Sequence, residues 1–247
     1  MKGYGPKTFG QLNAEQYDAA SEEAMAAETR DSVQTLAELA NGGRVLELAI
    51  GTGRVALPLA QRGLSVSGIE ASDEMVTQLR RKPGGNAIPV TIGDMAEVRA
   101  EGEFDLVYLV FNTIFNLTTQ EAQVRCFQNV ARHLSPNGLF VIETVVPDFS
   151  EYVDGRRMKG SWATLDGARF EIAIQDRVAQ TVAFQRIVIS EAGTQMTPFF
   201  MRYAWPPELD LMAQLAGLER RERWAWWDRS LFTSESKSHV TVYARAG

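Results

Sequence analysis

VLELAIGTGRVALPLA, Val45–Ala60, decides how the chain reads. An apolar run of strand character ends at two closely spaced glycines, Gly51 and Gly53, and gives way to RVALPLAQRG, where Val55, Leu59 and Arg62 have helix-compatible spacing. Pro58 suits that helix only near the first turn, where its missing N–H has no partner to lose. The glycines let the backbone turn tightly and approach a ligand, and helix amides that open on such a loop attract an anionic group.

Outward from this unit, Ala14–Ala40 mixes alanine and glutamate with Val33, Leu36 and Ala40 on one helical stripe, and NGGR ends it. Downstream, LSVSGIEA, AIPVTIGD, FDLVYLVF and GLFVIETVV read as strands, with SDEMVTQLRR and TQEAQVRCFQNVARHL as helices between them. This β–α–β alternation predicts right-handed crossovers and parallel pairing in an open α/β sheet. After VVPDF the pattern changes. Phe170, Ile172 and Ile174 alternate with Glu171, Ala173 and Gln175, and Phe199, Met201, Tyr203 and Trp205 repeat at the strand period, predicting a small antiparallel layer over the main sheet. PPELDLMAQLAGLERRE reads as a further helix and HVTVYARAG as the last strand. The expected organisation is a helical arm over 1–40, the principal cofactor-binding half of an α/β domain over 41–146, a substrate-side antiparallel insertion over 147–205, and the completion of the α/β domain over 206–247.

A chain of 247 residues supports one sizeable core, and its net charge of -6 argues against a nucleic-acid partner, whose phosphates call for concentrated positive charge. GRRMKG and LERRER read as solvated surface. Cys126, as the single cysteine, excludes an intrachain disulfide. Neither terminus carries the uninterrupted apolar segment of a signal peptide or a membrane span, so a cytoplasmic protein without a membrane partner is expected.

Three ligand chemistries use glycines in such a loop. A phosphate loop needs GxxxxGK[ST], and GTGRVALPL lacks both the lysine and the final pair. Gly51, Gly53 and Ala56 do satisfy GxGxx[GA], and Glu70 ends the next strand, where an acid accepts hydrogen bonds from ribose hydroxyls; an NAD-dependent oxidoreductase therefore fits this part of the chain. Glu47, Glu70 and Asp94, at successive strand ends, add information. Three acceptors reaching one crevice suit an amine, ribose hydroxyls and an exocyclic adenine amine, and do not favour an uncompensated diphosphate.

In order, ELAIGTGR, GIEAS, GDM and FDLVYLVFNTIFNL resemble the motifs of the class I S-adenosylmethionine-dependent methyltransferase family, and within it the small-molecule N-methyltransferases, over most of Val45–Val146. The resemblance implies a Rossmann-like, seven-stranded methyltransferase fold with a cofactor crevice at the carboxyl ends of the strands. It implies S-adenosyl-L-methionine as cofactor, S-adenosyl-L-homocysteine as product, and no metal. Glu47 then orients the cofactor directly or through the loop, Gly51 and Gly53 accommodate its amino-acid portion, Glu70 holds the ribose, and Asp94 and Met95 address adenine. Phe111 contacts the adenosyl or methionyl part; Ala49, Thr52, Ala71 and Met75 complete the cofactor set. Ala49 departs from the [DE]xGxGxG form of the family and fits if its backbone angle is ordinary and its methyl points away. Arg54 replaces another frequent glycine and either orients the cofactor carboxylate or is an exposed helical arginine. Tyr17, in EQYDAA, either covers the cofactor or packs in the core, and Gly3, Gly5 and Gly10 make the segment before it mobile enough for a lid.

On the acceptor side, FNTIFN, MRYAWPP and WAWW mix aromatic faces with polar handles, as a concave small-molecule pocket does. Asn112, Phe115, Asn116, Tyr203, Trp205 and Trp224 are the substrate-binding candidates, each equally able to form a turn or fill the core. No catalytic residue is assigned. His133 and His239 form no recognised metal-ligand pattern, and either serves as a base only if folding brings it to the pocket. Methyl transfer needs nucleophile, methyl carbon and leaving sulfur in line, and a neutral amine attacks without prior deprotonation, whereas an alcohol benefits from a base. The absence of a secure base favours an amine over an oxygen acceptor, and the resemblance implies a small-molecule acceptor, an amine of a metabolite or natural product. The same motifs are compatible with a small-molecule O-methyltransferase and with a noncatalytic nucleotide-binding or interaction protein, and the sequence sets no oligomeric state.

Overall fold

The computed structural model describes residues 3–5, 7–15 and 17–247, with the backbone alone for residues 19–26. Two helices, α1 (Thr8–Asn13) and α2 (Tyr17–Ala40), precede β1 (Arg44–Leu48), α3 (Ala56–Gln61), β2 (Ser65–Glu70), α4 (Asp73–Arg80), β3 (Val90–Ile92), β4 (Phe104–Leu109), α5 (Gln120–His133) and β5 (Leu134–Val145). Four strands follow, β6 (Arg156–Ala163), β7 (Ala168–Asp176), β8 (Thr181–Ser190) and β9 (Gly193–Arg202), before α6 (Pro206–Leu215), β10 (Leu218–Trp224) and β11 (Ser238–Arg245). The main sheet has seven strands in the order β10-β11-β5-β4-β1-β2-β3. The five strands from β3 to β5 pair in parallel, while β11 runs antiparallel to both β5 and β10. This is the Rossmann-like methyltransferase fold, with a separate four-stranded antiparallel sheet β6-β7-β8-β9.

The central strands are buried on both faces, which is why they read as near-continuous apolar runs. Alternate residues feed two cores. Leu46, Ile69, Phe127, Phe140 and Tyr243 belong to one; Val45, Val66, Leu36, Leu59 and Val242 belong to the other. The helices between the strands start where their caps dictate: the Ser72 hydroxyl accepts the Met75 N–H, and Thr119 accepts that of Ala122. Pro58 is the third residue of α3, in its first turn, where it is tolerated.

Two expectations are corrected. The helix read through PPELDLMAQLAGLERRE ends at Leu215, because Gly217 takes a left-handed φ of 72° and turns the chain. LERRERW then forms β10, held along β11 and tied back to the helix by the Arg223 ion pair with Asp210 at 2.7 Å. Gly10 is not a mobility element: it is buried in α1, and a Cβ there would run into the Ser72 side chain, so it permits close docking of the arm onto α4.

Strand parity splits the small sheet into two different faces. Glu171 pairs with Arg186 and Ala173 with Phe184 on the face turned inward. Phe170, Ile172 and Ile174 lie on the other face, where Ile172 and Ile174 are exposed. At the end of β9, Arg202 clasps the layer to the body: its guanidinium donates to Gln123 of α5 (2.6 Å), Gln180 (3.0 Å) and Glu208 of α6 (2.6 Å), and its carbonyl accepts from Gln123 (2.8 Å). The Arg202 side chain is only 5% exposed, so its loss strands a carboxylate and an amide. Arg202→Leu is expected to lower stability by about 3 kcal/mol, read from the shift of the urea unfolding midpoint; an unchanged midpoint would show that the clasp is not structural.

Candidate active site

The site begins where β1 ends. Between β1 and α3 the chain passes through left-handed angles at Ala49 (φ 53°), Gly51 (56°) and Gly53 (79°). The ordinary angle expected for Ala49 is therefore not what it adopts; left-handed geometry costs a non-glycine residue roughly 1–2 kcal/mol. Gly53 has a second reason to be glycine, since a Cβ would overlap the Leu79 side chain. This path aims the Gly51 N–H at Glu70 Oε2 (2.8 Å), and the Ser72 N–H meets Glu70 Oε1 (2.9 Å). Glu70 thereby joins the glycine loop to the start of α4. Burial pushes its pKa up, and backbone hydrogen bonds from Ser72, Gly51 and Ala71 oppose that rise. Each carboxylate oxygen retains a further acceptor position.

β1 and β4 are neighbours, and the chain leaves them in opposite directions across the sheet, toward β2 and toward β5; this is the switch point at which open α/β sheets hold ligands. Two recesses share it. The first is walled by Glu70, Ala71 and Met75 on one side and by Asp94 and Met95 on another, with Asn116 and Leu117 opposite and Phe9 and Tyr17 from the arm. The second contains Glu47, Thr52, Arg54 and Phe111, and Ala49, Gly51, Thr113 and Tyr17 border both. Arg54 points into this recess: its guanidinium lies 3.6 Å from the Phe111 ring centre and 5.6 Å from that of Tyr17, and donates to the Tyr17 hydroxyl at 3.3 Å. The arm is fastened nearby, with Thr52 donating to Asp18 (2.7 Å) and Lys82 bridging Asp18 (2.8 Å) and the Thr52 carbonyl (2.8 Å).

Buried acids surround Arg54. Burial raises the pKa of Glu47 to about 8, against the opposing bond from the Tyr108 hydroxyl (2.8 Å). Glu143, on β5, is raised by burial to about 7 and accepts the Phe111 N–H at 3.0 Å. Sequence reasoning missed Glu143, although a lone acid inside GLFVIETVV is a signal that it performs a specific task.

A groove opens from the first recess at Phe9 and Tyr17. Its floor is the inner face of the antiparallel sheet, apolar near the crevice at Phe184, Phe199 and Met201 and charged farther out at Arg169, Glu171 and Arg186. Of the six acceptor-side candidates, only Asn116 lines the crevice. Asn112 instead spends its side-chain oxygen on the Val145 N–H (2.5 Å), and Phe115 is buried in the core. Tyr203 and Trp205 do cluster, 5.1 Å apart, but with Phe149 beneath the sheet, where Tyr203 accepts from Gln175 (2.9 Å). Trp224 lies apart from them in the core beside Val240 and Val242, its indole N–H on Glu222. Phe9, Thr113, Leu117 and Phe184 were not singled out; Phe9 alone carried a signal, as an aromatic eight residues before Tyr17 in the same arm.

Both histidines are structural. His133 accepts the Ala100 N–H at 2.9 Å and meets the Asn129 carbonyl at 2.8 Å, and His239 is held between Thr144 and Thr241. Burial lowers both pKa values, that of His239 to about 3, and neither borders the crevice. Among the described residues, no group of three or more His, Cys, Asp and Glu is placed to hold a metal ion, and no helix is long and apolar enough to cross a membrane.

Comparison with known proteins agrees with this architecture. A family model described as a methyltransferase domain matches residues 45–138, from β1 into β5. The solved structure of the CcbJ methyltransferase from Streptomyces caelestis is 36% identical, superposes with a TM-score of 0.89, and is matched over 99% of this chain and 100% of its own. The cypemycin N-terminal methyltransferase of a Streptomyces species is 27% identical over 83% of this chain and 84% of its own. A dTDP-4-amino-2,3,4,6-tetradeoxy-D-glucose N,N-dimethyltransferase from Saccharopolyspora spinosa is 32% identical over 53% and 51%. The chain belongs to the S-adenosylmethionine-dependent methyltransferase family and is an enzyme of that class.

Proposed function

We propose that the enzyme transfers the methyl group to an amine of a small metabolite or natural product, leaving S-adenosyl-L-homocysteine and using no metal. The observation that carries this reading is the continuity of the acid-lined crevice, through Phe9 and Tyr17, with the half-apolar groove on the antiparallel sheet. The donor set suits an adenosyl ligand. Glu70 has acceptor positions for ribose hydroxyls; Asp94, whose Oδ1 takes the Ala96 N–H at 2.8 Å, offers its other oxygen to an exocyclic amine; and Met75, Met95 and Leu117 give a flat ring apolar contact. Arg54 stands where a ligand carboxylate would need a cation, with Thr52 and the Gly51–Gly53 backbone beside it, and Glu47 faces an ammonium group. Tyr17 then closes the crevice toward the acceptor. The segments divide the work as arm (1–40), cofactor half (41–146), acceptor layer (147–205) and closing strands (206–247).

S-adenosylmethionine supplies an electrophilic methyl carbon on a positively charged sulfur. What the chain must add is alignment and dryness, which Phe9, Tyr17 and Phe184 provide from three sides. Neither histidine borders the groove, which favours an amine, attacking as the free base, over a hydroxyl that needs deprotonation. The two relatives named for N-terminal methylation and for amino-sugar dimethylation support the same atom.

Direct titration is expected to show S-adenosylhomocysteine binding and no measurable NAD binding, with Glu70→Ala weakening the former by roughly 30-fold, as loss of charged hydrogen bonds of about 2 kcal/mol implies. NAD binding in its place would refute the assignment. Mass analysis of products across amines and alcohols is expected to show N-methylation; oxygen methylation alone would retain methyl transfer and reject the amine.

Glu47 supplies a proton signature. Its folded pKa of about 8 exceeds the ordinary carboxyl value of 4.5, so the protonated form adds stability that is fully present below about pH 4.5 and is lost as pH rises through about 8. A ligand ammonium acts in the opposite direction by drawing the group to carboxylate. S-adenosylhomocysteine binding at pH 7 is therefore expected to release a proton, seen as buffer-dependent heat in calorimetry, and Glu47→Gln is expected to reduce the release; equal heats in all buffers for the parent enzyme would contradict this.

A further inference from the structure

The groove-facing side of the antiparallel sheet holds two arginines that the fold leaves without a counter-charge. Arg169 on β7 and Arg186 on β8 line the outer part of the groove, and a smaller polar recess toward β6 is bordered by the same pair with Lys159, Ser161 and Glu171. Arg169 stands opposite Val188, and Arg186 lies two residues before Val188 on the same strand. The two arginines are therefore diagonal neighbours, about 7–8 Å apart at the backbone and within common reach of their long side chains.

The charges around them are already engaged. Glu171 faces Arg186 across the ladder but is held by Arg157, and Lys159 bridges Glu151 at 3.0 Å. Among the described residues, neither the Arg169 nor the Arg186 side chain makes a hydrogen bond or an ion pair. The chain has 31 acidic residues from which a partner could have been drawn. Arg169 is half-buried, so its guanidinium has given up part of its hydration beside a second positive charge. Like charges placed together in a recess oppose one another, and an anion lodged between them removes that conflict.

We propose that the acceptor carries an oxyanion, a carboxylate or a phosphate group, at the end remote from its amine, and that Arg169 and Arg186 hold it. The proposal rests on the amine acceptor argued above and names the other end of the same molecule. Guanidinium forks match the paired oxygens of either group, and do so with more direction than an ammonium could. The spacing follows from the strand. Arg186 is two residues beyond Phe184, which is about 7 Å along β8, so amine and anion are separated by at least that distance. The apolar middle of such a molecule lies over Phe184 and Phe199, whose rings are 6.0 Å apart.

This arrangement also selects the direction of entry. Glu47 and Glu70 stand at the cofactor end and the two arginines at the outer end, so the charge along the path runs from negative to positive. An anion-bearing amine enters amine first. The reversed molecule would bring its anion to the acids and its amine to the arginines, and is rejected at both ends.

Linear ω-amino acids of increasing length, the matching ω-amino amides and the matching ω-amino phosphate monoesters test the proposal on enzyme loaded with S-adenosylhomocysteine. At the favoured length a carboxylate or phosphate member is expected to bind about 10-fold or more tightly than its amide, and whichever anion is preferred identifies the group. Raising salt from about 50 mM to about 500 mM is expected to shrink the preference, because Arg186 is exposed. Arg169→Gln combined with Arg186→Gln is expected to abolish it with S-adenosylhomocysteine affinity unchanged. Arg62→Gln combined with Arg221→Gln removes the same charge at exposed positions away from the groove and is expected to leave the preference intact. Anions and amides alike at every length, whether both bind or neither does, would overturn the proposal, as would a preference that survives the groove pair or is lost with the control pair. S-adenosylhomocysteine binding and N-methylation of amines without an anion are read separately, so failure here is distinguishable from failure of the proposed reaction.

Discussion

The bond from the Gly51 N–H to the Glu70 carboxylate joins the loop after β1 to the end of β2, and the rest of the site depends on that junction. Parallel pairing brings Leu48 opposite Ile69 and lets the Ile50 N–H reach the Ile69 carbonyl, so the two strand ends finish level. Left-handed angles at Ala49 and Gly51 turn the chain where the Gly51 amide meets the acid, and that at Gly53 leads it on into α3. Ala49 accepts the strain of that path without being glycine. Through its other oxygen Glu70 also fixes Ser72, which caps α4 and receives the close approach of Gly10 from the arm. One carboxylate thus sets the positions of a loop, a helix and the cover over both.

The same crevice concentrates acids in a place that burial makes unfavourable for them. Glu47, Glu70 and Glu143 all have raised pKa values with desolvation as the leading cause, and Arg54 is the cation among them. For stability alone, apolar residues of similar volume would serve better. Glu47 and Glu70 line the cleft while Glu143 stands behind it on the Phe111 N–H, and acids in this condition suit a ligand that carries positive charge and hydrogen-bond donors. That fits a ligand with an ammonium group and a sulfonium better than it fits a dinucleotide, whose linking diphosphate is anionic. The glycine pattern by itself did not separate the two.

What the sequence revealed follows how locally each feature is encoded. The order of strands and helices through Val145 is legible because each element carries its own periodicity and its own cap, as at Ser72 and Thr119. The acids at the ends of β1 and β2 and after β3 are legible because their spacing repeats with the βα unit. LERRERW is not, since its charged middle looks helical and only pairing with β11 makes it a strand. Trp224 and Phe115 stay open between pocket and core in the sequence, because aromatic character does not reveal whether a ring meets a ligand or the core. Asn112 was read through its amide, yet its φ of 61° and its bond to Val145 show a residue that turns the chain. Phe184 escaped notice because its role exists only once a separate sheet swings over the crevice.

That sheet also explains a pattern that composition leaves puzzling. In β7 the isoleucines and the phenylalanine share one parity, while Arg169, Glu171, Ala173 and Gln175 share the other. If the layer only packed on the body, the apolar parity would face inward and a one-residue slip would be ruinous. Instead the inward parity is mixed, apolar beside the crevice and charged farther out, as an acceptor with a reactive end and a polar remainder requires. A strand has only two faces. The inward parity also packs the layer where it leaves the groove, Ala173 and Val182 lying with Tyr203 against Phe149 and Tyr152, and the Arg202 clasp fixes its edge. Residues that face the groove and residues of the outer face therefore alternate along the same strands, so either set can change by substitution without altering the other's side chains.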